Sequence, residues 1–524
     1  MNHAATIADD RDLQIEKLQA DYAALQARFN AVQAQLDWFK RELFGPKSER
    51  RELNPDQLVL FNFMLEKQPQ ANEQETQVPA HTRRKKRNGN EVNDTGLRFT
   101  DDVPLEVVEL DVPELNGPEA DQYTVIDVRE SYRLASEPGT HVVICYRRPV
   151  VARKDGSAVV EAPAPTGPLG YATADVSFLA QMLMDKFAYH CPLYRQHQKL
   201  QHEGITLSRA SLDNWTHSAI TLLKPVAQAV MDGVLGSQAI KIDETPIKAG
   251  KGKNKHGQGK MKQAWFWPIL GKSGDLYFHF SPSRGKQVLI DLLDDRFKGT
   301  VQSDGYDAYA RYTENRADII HALCWTHTRR GFIKAQKSEP EAVSEILTMI
   351  GALYKIEEQL RETNASDAEI LQIRQEKSQA HVDKIFDWIK ARRQDPGLLP
   401  KSPFAKALHY AAEREAGLRV FLSDAWVALD TNDLERGLRV IPMGRKSWLF
   451  CTSEVGAEHV GIIQTLLATC KAHGINGYHY LVDVLQRIDQ HPASRVHELT
   501  PREWQKRFAN NPLRSPLHKI RKTA

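Results

Sequence analysis

The sequence predicts a multidomain α/β protein whose largest domain is a mixed sheet with helices, and three observations predict it. With 524 residues the chain is too long for one ordinary core. Between Ser237 and Cys324, strand-like runs at Ala239–Asp243, Gln263–Leu270 and Asp275–Phe280 make a meander; a helix after Ser283, a strand ending near Asp304 and another at Asp318–Cys324 follow. Two of these runs stop at an aspartate, Asp243 three residues before Pro246 and Asp304 immediately before Gly305. Asp is rarely buried without a partner, so carboxylates ending neighbouring strands suit a shared divalent metal. Pro246 is read as forbidding further central pairing, and Gly305 as permitting a tight turn.

Taken in order, the chain begins with Ile15, Leu18, Tyr22, Leu25, Phe29, Val32, Leu36, Phe39 and Leu43 in strict 3-4 alternation. That is a coiled-coil seam of roughly 43 Å at helical rise, ended by Gly45-Pro46, and it assigns residues 1–50 to self-association. Deleting residues 1–44 is expected to lower the oligomeric state seen by light scattering, since the apolar stripe needs a partner helix; an unchanged mass rejects the seam. Residues 51–100, polar and carrying the basic run Arg83–Arg87, read as a disordered linker. Residues 101–165 hold alternating runs at Tyr123–Leu134 and His141–Val151, which suggest a small β subdomain. Residues 166–236 read as helices, and the join Gly204 to Ser208 offers a turn and an N-cap. This pair is either helix-turn-helix-like, with Arg209, Asn214 and His217 facing DNA, or a plain packing unit.

Residues 237–450 hold the sheet and a helical insertion at about 335–429, with Ile346, Ile350, Leu353, Ile356 and Leu360 on one stripe. Residues 451–524 read as a helical appendage and a basic tail, where Pro501–Ala524 has seven Lys or Arg against one acid. Lys248–Lys262 has six Lys and four Gly but lacks the Walker pattern, which excludes that mode of nucleotide binding. It is either a solvated hairpin tip or a phosphate-facing one. The basic clusters suit phosphate contacts or a solvated surface equally.

The phrases Ile242-Asp-Glu-Thr-Pro, Phe280-Ser-Pro-Ser-Arg-Gly, Gln302-Ser-Asp-Gly-Tyr, Cys324-Trp-Thr-His-Thr-Arg-Arg-Gly-Phe, Leu434-Glu-Arg-Gly-Leu-Arg and Gly444-Arg-Lys-Ser-Trp-Leu-Phe come in this order. Together they resemble the insertion sequence 66 family of transposases over roughly residues 160–500. The resemblance implies a ribonuclease-H-like core preceded by the coiled coil, the small β subdomain and the helix-turn-helix-like pair. It implies a bacterial insertion-sequence transposase that binds transposon ends and catalyses metal-dependent cleavage and strand transfer of double-stranded DNA. The catalytic and metal-binding triad is then Asp243, Asp304 and Glu435, holding two Mg2+ ions, or Mn2+ in their place, with Asp243 bridging both. Arg284, His327, Arg329, Arg330, Arg436, Arg439, Arg445 and Lys446 fall where DNA would be contacted. Accessory proteins of the same element are implied as further partners. A nuclease without strand transfer and a non-catalytic DNA-binding relative are the alternatives.

The chain departs from relatives that carry paired Cys-x-x-Cys motifs in the small β subdomain, since only Cys145 stands there. One thiol cannot make a tetrahedral site, and Cys324 with His327 adds at most two ligands, so no structural zinc is expected. Five scattered cysteines argue against a disulfide framework. No apolar run is long enough to span a bilayer, and Met1–Leu13 lacks a signal-peptide centre, which makes a cytoplasmic, nucleoid-associated location the expectation and a membrane partner unexpected. Each acid also has a purely structural reading. Asp243 and Asp304 suit turns, and Glu435 suits a capping box with Asn432.

Overall fold

The structure is a computed structural model that describes residues 174–253, 259–314, 316–445 and 453–515, together with 150–152, 159–161, 167–170 and a few single positions. The coiled-coil seam apart from Tyr22, the linker, the Tyr123–Leu134 run, Cys145 and Lys446 lie outside the described residues. Every element below belongs to one unit that excludes Pro46–Val142. Of the small β subdomain, β1 (Val150–Ala152) and β2 (Val159–Glu161) are described and pair antiparallel.

Among the described residues, three helices precede the sheet: α1 (Val176–Phe187), α2 (Leu193–His202) and α3 (Arg209–Leu235). The join between α2 and α3 forms as its residues dictate, with Gly204 at φ +81° and the Ser208 hydroxyl accepting from the Ser211 amide. The last helix runs twelve residues beyond the expected end at Leu223, straight through Pro225. A proline inside a helix costs about 3 kcal/mol. Burial of Val226, Ala227, Val230, Met231 and Val234 against the sheet core outweighs it.

The sheet is mixed. Strand β3 (Ala239–Ile242) runs parallel to β7 (Gly299–Ser303), which runs parallel to β8 (Ile319–Leu323). On its other side β3 pairs antiparallel with β5 (Gly259–Gly271), and β6 (Leu276–Ser281) pairs antiparallel with β5. Helices α4 (Lys286–Leu293) and α5 (Asp307–Thr313) flank β7 in the chain. Pro246 does not end the pairing. After a break at Asp243 and Glu244 the chain resumes as β4 (Thr245–Lys253), whose only strand partner among the described residues is β5, with a single further bridge from Ala249 to Cys451. Proline is tolerated there because β4 is an edge, where a missing N–H leaves no ladder bond unmade. The open edge of β6 is covered by α14 (Glu454–Ala472), whose Thr465 and Thr469 hydroxyls accept from the Phe278 and Leu276 amides at 3.0 and 3.1 Å. Gly461 permits that approach, since a Cβ there would lie 2.7 Å from the Phe278 carbonyl oxygen.

After β8 come α6 (Trp325–Ala335), α7 (Pro340–Glu362), α8 (Asp367–Ile373), α9 (Gln379–Arg393), α10 (Pro403–Glu413) and α11 (Glu415–Arg419). The stripe expected from the sequence, Ile346 to Leu360, is buried, and its Ile346, Ile350 and Leu353 lie in a second core. The segment leaving it is tied back to the sheet: the Gln302 amide donates to the Ala428 carbonyl at 2.6 Å, and the Trp325 amide to the Leu429 carbonyl at 3.1 Å. Helices α12 (Asn432–Leu438) and α13 (Val440–Gly444) follow, and beyond α14 lie α15 (Gly477–Arg487) and α16 (Pro501–Arg507).

Candidate active site

Because β3 and β7 are parallel neighbours, their C-terminal ends open on the same edge of the sheet. Ala239 faces Thr300 and Lys241 faces Gln302, an offset of 61 residues. Asp243 and Asp304 are also 61 apart, so each leaves the sheet at the matching position of its strand. The sequence separation is thus the strand register. Carboxylate oxygens of Asp243, Glu244 and Asp304 lie within 4.8 Å of one another, close enough to hold one ion.

The local roles read from the sequence are present too. The Asp304 carboxylate accepts from the Tyr306 amide at 2.8 Å, as a turn aspartate does, and the Asp243 carboxylate accepts from the Glu244 amide at 2.8 Å. Each of these bonds engages one oxygen of its aspartate. Gly305 is needed for closeness rather than for a positive φ, because a Cβ there would press on Tyr410 and Arg414, and Arg414 donates to the Gly305 carbonyl at 3.1 Å.

Glu244 is the acid that sequence reasoning missed. Its side chain is 2% exposed and binds the guanidinium of Arg284, with Nε at 2.9 Å, while the Tyr309 hydroxyl donates to it at 2.6 Å. The Arg284 guanidinium also stacks on the Tyr306 ring, 4.0 Å from its centre. The signal available in the sequence was its place beside Asp243, together with the basic phrase ending in Arg284.

Glu435 lies in the first turn of α12, which is fixed by a 2.7 Å ion pair from Lys241 on β3 to Asp433 and by Gly437, where a Cβ would come within 2.6 Å of Leu276. The capping-box reading does not hold, since Asn432 is the first helical residue and the Glu435 carboxylate is bound elsewhere. Arg330 donates to Oε2 at 2.7 Å, and His327 Nε2 stands 3.9 Å from Oε1. Oε1 is buried and receives no hydrogen bond. Both Arg330 and His327 come from α6, directly after β8. The charge of His327 also reaches Asp243.

Burial, reinforced by the charges of Glu244 and Asp304, raises the Asp243 carboxyl from its ordinary 3.8 to about 7. The folded chain then keeps a proton that the unfolded chain releases near 3.8, so stability falls as pH rises between those values. The effect is worth at most about 4 kcal/mol. In chelator, Asp243→Asn is expected to melt above the native protein at pH 8, with the gap closing toward pH 4. Melting curves across that range check it, and a constant gap rejects it.

The whole mixed sheet and every acid of this site fall within residues 172–459, which match a family model described as Transposase IS66 family. The chain belongs to this family. The IS66 C-terminal element matches residues 465–502, and a model described as Transposase C of IS166 homeodomain matches residues 31–92, across the boundary between the expected seam and linker. The uncharacterized protein y4qI of Sinorhizobium fredii is 31% identical over 414 residues, covering 76% of this chain and 74% of that protein. Another from the same organism, y4hP, is 28% identical over 508 residues, covering 91% and 89%. The solved Drosophila P element transposase strand transfer complex aligns over 66% of this chain and 90% of its own at 12% identity and a TM-score of 0.21, too slight a likeness to bear on the fold.

In this IS66-family transposase the residues expected to touch DNA are spread over several elements. Arg209, Asn214 and His217 are exposed on α3, whose other face is core. Arg436 and Arg439 are exposed on and just after α12, and Arg445 donates to the Pro246 carbonyl at 3.2 Å. Arg329 is half-buried on α6. The Cys324 thiol is buried, which raises its pKa, and accepts from the Thr431 hydroxyl at 3.4 Å. Among the described residues, no helix is long and apolar enough to cross a membrane.

Proposed function

We propose that this transposase cuts and joins DNA at the site formed by Asp243, Asp304 and Glu435, in a ribonuclease-H-like core. The observation that carries the reading is the register-matched pair Asp243 and Asp304, whose oxygens, with Glu244, lie within 4.8 Å. The strand order β6-β5-β3-β7-β8, three antiparallel neighbours and then two parallel ones, supports the fold. The donor set of Asp243, Glu244 and Asp304 fits hard divalent ions, being all carboxylate oxygen, and Glu435, which lies outside that group, has one buried oxygen that receives no hydrogen bond among the described residues.

Asp243 and Asp304 would hold the ions from the strand ends, with Glu435 approaching from α12. Mg2+ or Mn2+ bound there supplies charge stabilisation to the attacking and leaving oxygens of a phosphodiester. The hairpin of β4 and β5 extends directly from Asp243 and Glu244 and exposes Lys248, Lys251, Lys260 and Lys262, which suits it to follow a DNA backbone. Arg436 and Arg439 offer further phosphate contacts. The match at residues 31–92 to a homeodomain model supports an additional DNA-binding region near the N-terminus, beside a seam for self-association.

The test supplies purified full-length protein with a pre-cut transposon end bearing a free 3′-hydroxyl, target DNA and Mg2+. Joined product is expected. Cleavage of uncut ends without joining would leave a nuclease, and neither activity would leave a DNA-binding protein.

A further inference from the structure

The geometry points to Arg330 as the positioning residue for Glu435, deciding which carboxylate oxygen is presented to the acid pair, and not as a contact for DNA phosphate. The inference rests on the reading of Glu435 as a metal ligand given above. Arg330 and Glu435 are 105 residues apart and meet because α6 and α12 begin beside each other at the C-terminal end of β8, where the Thr431 hydroxyl donates to the Cys324 thiol. Arg330 grips Oε2 at 2.7 Å and leaves the buried Oε1 without a hydrogen-bond donor among the described residues. A buried carboxylate oxygen left bare costs more than the ~1–3 kcal/mol of a neutral group. His327 Nε2 stands 3.9 Å from Oε1, beyond hydrogen-bond length. A bare oxygen next to a firmly held one is the arrangement of a ligand waiting for its ion.

The role also suits arginine. Its planar fork fixes direction as well as charge, whereas a lysine in its place would supply charge alone. The Arg330 guanidinium is engaged by Glu435 even though 41% of its side chain stays exposed.

The experiment titrates metal-stripped full-length protein with Mn2+ and reads the rise in melting temperature, alongside binding of a labelled transposon end in chelator. For Arg330→Gln, the Mn2+ concentration at half-effect should rise about 10- to 100-fold, with DNA-end affinity within about threefold of the native protein. Arg330→Lys should recover part of the loss, and it carries the test if Arg330→Gln lowers the metal-free melting temperature. The double variant Arg330→Gln/Glu435→Gln should respond to Mn2+ as Glu435→Gln does alone. An unchanged half-effect in Arg330→Gln, with weakened DNA binding, overturns the positioning role and makes Arg330 a phosphate contact. A Glu435→Gln protein with the full Mn2+ response overturns the metal-ligand reading itself, whatever Arg330 does.

Discussion

Asp304→Asn is expected to lower strand transfer by about 10³-fold or more while leaving the protein folded. If the site holds two ions as proposed, losing a charged ligand removes several kcal/mol of transition-state stabilisation, and about 4 kcal/mol is a factor near 10³ in rate. The fold is spared because the Asn side-chain oxygen can still accept from the Tyr306 amide, the bond that shapes the turn after β7. Removing one of three crowded negative charges also relieves repulsion in the metal-free state. A role confined to the turn gives the opposite pattern, a modest loss of stability with joining intact. Glu435→Gln should behave like Asp304→Asn, since a Gln oxygen still accepts from Arg330. Gel analysis of joined product beside melting curves separates the two patterns, and either variant joining ends at the native rate rules out the triad as assigned.

What the sequence disclosed follows the range of the forces involved. Ser208 caps α3 and Gly204 turns the chain before it because both act on neighbouring amides. Strands β3, β5, β6, β7 and β8 were legible from their apolar runs. Strand β4 was not, because Pro246 is disqualifying only in a central strand, and the edge position of β4 is a property of the sheet, not of the segment. Pro225 misled in the same way, its local cost being outweighed by burial that only the folded core provides. Asp243 and Asp304 were readable singly as strand-end acids, and their 61-residue spacing gained meaning only as a register. Arg330 and Arg284 read in the sequence only as basic residues placed where DNA would be contacted, because nothing in a linear sequence shows that they pair with Glu435 and Glu244.

The second large effect is expected far from the acids, at Glu357. Within the insertion, the Arg374 guanidinium donates to both Glu357 oxygens, at 2.8 and 2.7 Å, with the two side chains only 3% and 11% exposed. Glu357→Ala leaves a buried guanidinium unpaired, which typically costs 3–5 kcal/mol. At roughly 2 °C per kcal/mol for a unit of this size, that is a fall of about 6–10 °C in melting temperature. The exposed pair Arg392 and Glu345 provides the control, since Glu345→Ala should change stability by less than about 1 kcal/mol. Replacing both buried partners, as Glu357→Leu with Arg374→Met, removes the stranded charge but should not restore the native value. Arg374 also donates to the carbonyls of Phe421 and Asp424 at 2.7 and 3.1 Å, and each acceptor abandoned in the interior costs about 1–3 kcal/mol. Those carbonyls begin the segment that returns to the sheet through Ala428 and Leu429 and leads into α12. Glu357→Ala should therefore weaken joining below its melting temperature as well, by loosening the support of Glu435. Full joining activity in a Glu357→Ala protein that melts early would show that the insertion and the acid site are mechanically independent.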